Sequence, residues 1–179
     1  MLVGCEGGAI TTALTFYIRD IGAVSGITEF QSASLLSIMA ITGFPTSFCS
    51  GFLLEKMPCH VLLAAAFIVE GICCVQMIYM RDMFTGIFFA ISWGFSTGIR
   101  TIALQYIWPD YYGTNCLGKI NSLNGTSLVI GSAIGPLAYG LAIDYVGSWS
   151  TILWWTAPIS ITSAVLLLFC AKKPVHESD

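Results

Sequence analysis

The stretch INSLNGTSLVIGSAIGPLAYGLAI, residues 120–143, decides how this chain is read. No charged side chain lies between Lys119 and Asp144, and crossing a bilayer core as a helix takes about 20 mostly apolar residues. Its small residues cluster: Gly125, Gly131, Ser132, Ala133, Gly135 and Gly140, with Pro136 among them. Glycines four apart let a neighbouring helix backbone approach closely. Pro136 removes one backbone hydrogen bond and can bend the helix. Gly131, Gly135, Pro136 and Gly140 are therefore expected to act in helix packing, as a hinge that opens and closes a cavity, or as both.

Five more runs of this kind lie to either side. The six together cover residues 2–18, 32–54, 61–80, 84–107, 120–143 and 149–171, and the polar breaks include Arg19-Asp20, Glu55-Lys56-Met57-Pro58, Arg81-Asp82 and Trp108-Pro109-Asp110. The composition agrees. Of 179 residues 56% are hydrophobic and 9% charged, with a mean hydropathy of +0.81, whereas a soluble domain carries roughly 25% charged residues. Too few polar groups remain to cover a water-exposed surface, which argues against a soluble enzyme. A net charge of −3 leaves no basic footprint for nucleic acid. The expected fold is an all-α membrane protein: one six-helix transmembrane bundle over 1–171 with a tail at 172–179, embedded in a lipid bilayer.

Lys56, Lys119, Lys172 and Lys173 fall on one side of these spans, and Arg19 and Arg81 on the other. The excess of basic residues marks the cytoplasmic side, so the C-terminal tail is expected there, with the plasma membrane as the host membrane. The first run is the shortest and begins at Met1 without a polar flank, as a truncated helix would. The seven cysteines include no C-x-x-C pair, and His60 and His176 stand near segment ends. Neither pattern matches metal-ligand spacing, so no metal and no cofactor is expected.

A repeat is visible in the sequence. Gly51-Phe52-Leu53-Leu54-Glu55 and Gly140-Leu141-Ala142-Ile143-Asp144 each place an acid four residues after a glycine, and each follows an in-helix proline, Pro45 or Pro136. The offset is 89 residues, about half the chain, so the first three helices correspond to the last three. Three is odd, so the second copy is inverted across the membrane, a pattern found in transporters. Two charges fall within the runs: Glu70 near the middle of the third and Arg100 in the fourth. Even mild scales put the cost of such a group at about 2.5–3.5 kcal/mol at a helix centre, which makes both functional candidates. The third and fourth helices are antiparallel neighbours, so a Glu70–Arg100 pair is expected. Gln105, Asn121 and Asn124 could join Arg100 along a substrate cavity. A structural ion pair is the plainer alternative. No serine has an evident base and no two aspartates face each other, so catalysis is not expected.

The segments Trp108-Pro109-Asp110-Tyr111-Tyr112-Gly113, Leu117-Gly118, Gly131-Ser132-Ala133-Ile134-Gly135-Pro136 and Asp144-Tyr145-Val146-Gly147-Ser148 resemble the C-terminal half of a major facilitator superfamily transporter. Within it the pattern looks closest to the oxalate/formate and monocarboxylate porter-like branch. The resemblance implies secondary transport of a small solute by alternating access, as symport or antiport with a proton or counter-anion, and a partner N-terminal six-helix half. It places helices 1, 2, 4 and 5 along the cavity and helices 3 and 6 outside, and it gives Gly51, Glu55 and Lys56 the role of a cytoplasmic latch. Three features depart from the family pattern: Pro58-Cys59-His60 after the latch, Thr114-Asn115 after Gly113, and a second helix without the arginine that monocarboxylate porters carry there. A second reading is a non-transporting membrane component, or a truncated fragment, that packs against a partner bundle.

Overall fold

In the computed structural model, which describes residues 2–112 and 117–170, the chain forms α1 (Leu2–Val24), α2 (Glu29–Leu54), α3 (Cys59–Ile78), α4 (Met83–Tyr112), α5 (Leu117–Val146) and α6 (Trp149–Cys170). The expected tail at 172–179, with Lys172 and Lys173, lies outside the described residues, as do Gly113, Thr114 and Asn115 of the family-like segment. Five of the helices, α2 to α6, are long and apolar enough to cross a membrane. The sixth, α1, is long enough but carries Glu6, Arg19 and Asp20 among its glycines and threonines, which lowers its hydropathy.

Most helices run past the ends of the apolar runs. α1 continues through Arg19-Asp20 and closes at Gly26, whose φ of +78° belongs to the left-handed region that glycine adopts freely. There the Ile27 N–H donates to the Gly22 carbonyl at 2.9 Å. α2 starts at Glu29, not residue 32, because Thr28 and Gln31 form a reciprocal capping box, which satisfies two otherwise orphaned donors. α3 starts at Cys59 and stops at Ile78, with Pro58 at its N-cap position giving no side-chain hydrogen bond. α4 passes Trp108-Pro109-Asp110 to Tyr112, with Pro109 inside the helix. α5 extends from Leu117 to Val146 and ends at Gly147, φ +68°. A polar break ends a lipid-facing run, but only a lost hydrogen bond or a cap ends a helix.

The repeat expected at an offset of 89 residues is present in three dimensions. α1 packs along α5 and α2 along α4, while α3 packs on α6 and on α4. Exchanging the two halves turns the α1–α5 pair into the α4–α2 pair and maps α3–α6 onto itself. Individual contacts obey the same exchange. A Cβ on Gly131 would stand 1.9 Å from the Cys5 carbonyl oxygen, and one on Gly94 would stand 2.0 Å from Thr42 Oγ1. A Cβ on Gly135 would meet the Ala9 carbonyl oxygen at 2.2 Å, and one on Gly98 would meet Thr46 Cβ at 2.9 Å. Cys5 and Gly94, Thr42 and Gly131, Ala9 and Gly98, and Thr46 and Gly135 are all 89 apart in sequence. Both helix pairs therefore close on glycine, as small-residue packing in membranes requires. The architecture is a three-plus-three inverted repeat.

Among the described residues the interior holds two apolar clusters. One surrounds Leu14, Met77, Phe89 and Trp93, and the other surrounds Leu63, Phe67, Ile99 and Ala103. α2 and α5 flank the bundle and expose most of their apolar side chains, among them Phe44, Phe48, Val129 and Leu137. Crowding at the glycine contacts gives a direct test. Gly131→Val is expected to lower stability by about 1–3 kcal/mol, the usual cost of overpacking, whereas Gly51→Ala, with open space around its Cβ, keeps or raises it. Thermal unfolding of detergent-purified protein measures both, and equal midpoints for the two variants would contradict the close α1–α5 contact.

Candidate functional site

The site is built around Arg100, on α4, which packs against α3 and meets α1 through this side chain. Its Nη1 donates to Glu70 Oε2 of α3 at 2.5 Å, and its Nη2 donates to Thr11 Oγ1 of α1. The guanidinium carbon lies 5.8 Å from the centroid of the Phe67 ring, within range of a cation–π attraction. Arg100 is 7% exposed and Glu70 1%, so the pair is withdrawn from the surface. Gly7 makes room for it, since a Cβ there would stand 3.0 Å from Nη1. One turn earlier, Ser96 Oγ donates to the Ala66 carbonyl at 2.7 Å and ties α4 to α3. Thr11 and Arg100 are themselves 89 residues apart. A contact between equivalent positions of the two repeats lies on the axis relating them, which places the guanidinium at the pseudo-symmetric centre of the bundle.

Two cavities meet there. The larger, of about 730 Å³, runs between α1, α4 and α5, and Arg100, Gln105, Asn121 and Asn124 all border it together with Gly125 and Ser132. The smaller, of about 450 Å³, lies between α1, α2 and α4. Thr11, Thr97 and Thr101 line both, so the two form one trough over α1 and α4 with α2 and α5 as its walls. Neither takes a lining residue from α3 or α6. The Asn124 Oδ1 is buried without a hydrogen-bond partner and sits where a Cβ on Gly4 would come within 2.9 Å.

The other candidates lie elsewhere. Glu70 stands behind Arg100 and does not border the trough. Gly131 and Gly135 are taken up in the α1 contact, and Gly140 faces the Tyr17 hydroxyl. That hydroxyl donates to the Pro136 carbonyl at 3.0 Å, which ties α1 to the region of the proline. Gly51, Glu55 and Lys56 lie exposed at the end of α2, outside the trough. Among the described residues no three His, Cys, Asp or Glu converge as metal ligands.

Sequence reasoning passed over two residues. Thr11 reads as an ordinary small polar residue, and only its 89-residue spacing from Arg100 marks it. Glu6 lies inside the first apolar run, where a carboxylate is costly. It accepts a hydrogen bond from Ser163 of α6, and its Oε1 is buried without a partner.

The Major Facilitator Superfamily profile matches residues 1–179. The chain belongs to this superfamily. It is a family of transporters rather than enzymes, so the chain is an integral, multi-pass membrane protein of transporter type. Over 73 residues it is 32% identical to a triacylglyceride transporter of Mycobacteroides abscessus, an alignment that takes in 41% of this chain and 13% of that relative. The chain thus spans a small part of that relative's length.

The buried pair sets an expectation for stability. Arg100→Ala leaves the Glu70 carboxylate buried and uncompensated, at a cost of about 3–5 kcal/mol. Replacing both residues with leucine removes both charges and is expected to recover most of that loss. Unfolding midpoints of the single and double variants in detergent check this, and a double variant no better than Arg100→Ala would show that the pair is not the cause.

Proposed function

We propose that this chain is one six-helix bundle of a secondary transporter that moves a small solute by alternating access, with the trough over α1 and α4 as its solute path. A single observation carries this reading: Arg100 and Gln105 of α4 and Asn121 and Asn124 of α5 converge on one cavity at the pseudo-symmetric centre, where transporters of inverted-repeat design hold their solutes. Polar groups inside a membrane bundle are costly and are retained for function. The glycine-lined α1–α5 and α2–α4 contacts and Pro136 supply interfaces on which helices can pivot, and a second six-helix bundle would close the open side of the trough. Symport or antiport with a proton or counter-anion, a plasma-membrane location with the C-terminal tail in the cytoplasm, and a latch at Gly51, Glu55 and Lys56 complete the proposal.

The finer branch, oxalate/formate or monocarboxylate porter-like, rests on the resemblance and on Arg100 as the cation a carboxylate needs. Glu70 already neutralises that guanidinium, so the geometry supports a transport role more strongly than an anionic solute. The triacylglyceride named for the mycobacterial relative is a different kind of cargo, and the short alignment carries it no further than that protein. The alternative role, a bundle that packs on a partner without transporting, is favoured by the broad apolar flanks of α2 and α5.

Water access separates the two readings. In a background with the native cysteines replaced, Thr101→Cys and Asn121→Cys are expected to react with a water-soluble, membrane-impermeant maleimide in reconstituted vesicles. Cysteines at Leu63 and Phe67, in the packed core, are expected to stay unlabelled. Absence of labelling at both trough positions would sink the solute-path reading.

A further inference from the structure

The two cavities that meet beside Arg100 differ in chemistry. In the smaller one, four hydroxyls are turned back onto their own helices. Thr15 donates to the Thr11 carbonyl at 2.7 Å, Ser47 to Gly43 at 2.9 Å, Thr97 to Trp93 at 2.9 Å and Thr101 to Thr97 at 2.8 Å. Each of these protons is engaged by a carbonyl one turn earlier and is not offered to a bound molecule. Leu36, Met39, Ala40, Phe44 and Trp93 make the rest of that lining apolar. The larger cavity is the opposite. Gln105 and Asn121 border it with exposed side chains, and each amide brings both N–H donors and a carbonyl acceptor. Among the described residues its lining holds one charge, Arg100. That guanidinium already gives one nitrogen to Glu70 and the other to Thr11.

We infer that the solute is an uncharged amphipathic molecule, its apolar body between α1, α2 and α4 and its hydrogen-bonding head between α1, α4 and α5. The inference rests on the trough as solute path and deepens it to a chemical class. Thr11, Thr97 and Thr101 border both cavities, so one molecule can occupy the two together. A head that both donates and accepts, such as a primary amide or a hydroxyl, matches Gln105 and Asn121. A carboxylate only accepts. It would also have to draw Arg100 from Glu70, and a buried charge left without its partner is expensive. A neutral amide therefore fits this trough better than the carboxylate of the same chain length.

Protection from maleimide labelling tests the class, with primary alkyl amides as probes. Thr101→Cys, in the cysteine-replaced background and in reconstituted vesicles, reports on occupancy where the two cavities join. Octanamide is expected to slow its labelling, and from butanamide upward the half-protecting concentration is expected to fall about fourfold per methylene. Octanoate, ionised at about pH 8, is expected to protect about tenfold more weakly than octanamide, or not at all. Ala40→Phe fills the smaller cavity from α2 and is expected to flatten the dependence on chain length while Thr101→Cys stays reactive. Three results overturn the proposal: no protection by octanamide, equal protection by octanoate, as a pocket open to any lipid tail would give, or an unchanged chain-length dependence in Ala40→Phe. The amide–carboxylate comparison needs no second substitution, so it decides the matter if Ala40→Phe does not fold. Absence of labelling before any amide is added is a separate failure, that of the solute path itself, and it takes this proposal with it.

Discussion

A guanidinium buried among apolar helices is tolerable only if everything around it is arranged to receive it. Arg100 meets this condition with a carboxylate from α3, a hydroxyl from α1 and the face of Phe67. Each partner comes from a position fixed by helix packing, and none is a flexible loop residue. The requirement reaches outward: α1 must lie close enough for Thr11 to touch Arg100, which calls for glycine at position 7 beside it and for Gly131 and Gly135 where α5 supports α1 from the other side. Breaking the pair exposes a buried charge, whereas removing it altogether costs much less. A purely structural role is thus a weak reason to keep it, and its place beside the trough is a stronger one.

The inverted repeat supplies the geometry that this interaction uses. Because α1 and α4 are equivalent elements that meet at the axis, a polar residue on one can touch its counterpart on the other, and Thr11 with Arg100 is such a pair. The repeat is not perfect. α4 packs heavily on α3, while its counterpart α1 touches α6 only lightly. The heavier contact is the one that carries Glu70–Arg100 and the Ser96–Ala66 hydrogen bond. At the lighter one Glu6 reaches across to Ser163. Chemistry has accumulated where the symmetry is broken.

Superfamily membership and geometry constrain function from two directions. Membership makes the chain a transporter-type membrane protein. The geometry assigns the polar trough to α1, α2, α4 and α5 and leaves α3 and α6 as outer support, which agrees with the arrangement implied by the resemblance. An apolar, outward-facing α2 and α5 are what a bundle presents to lipid and to a neighbouring bundle, because in hydrocarbon no water competes for those side chains.

The sequence by itself determined the number of helices, their approximate positions and the repeat between the halves, because lipid admits only segments that satisfy their own backbone hydrogen bonds and are apolar over a known length. It also singled out Glu70, Arg100, Gln105, Asn121 and Asn124, since polar groups are conspicuous in such segments. Helix ends were less legible. Arg19-Asp20 and Trp108-Pro109-Asp110 interrupt apolarity without ending the helix, although Pro109 removes one ladder hydrogen bond, and the true stops depend on caps such as Gly26 and Gly147. Only the tertiary structure decided which faces meet. Nothing in a linear pattern says that α1 lies against α5, that Thr11 reaches Arg100, or that Glu6 turns toward Ser163. Those facts follow from rotation of each helix about its axis, which is set by close packing between elements far apart in the chain.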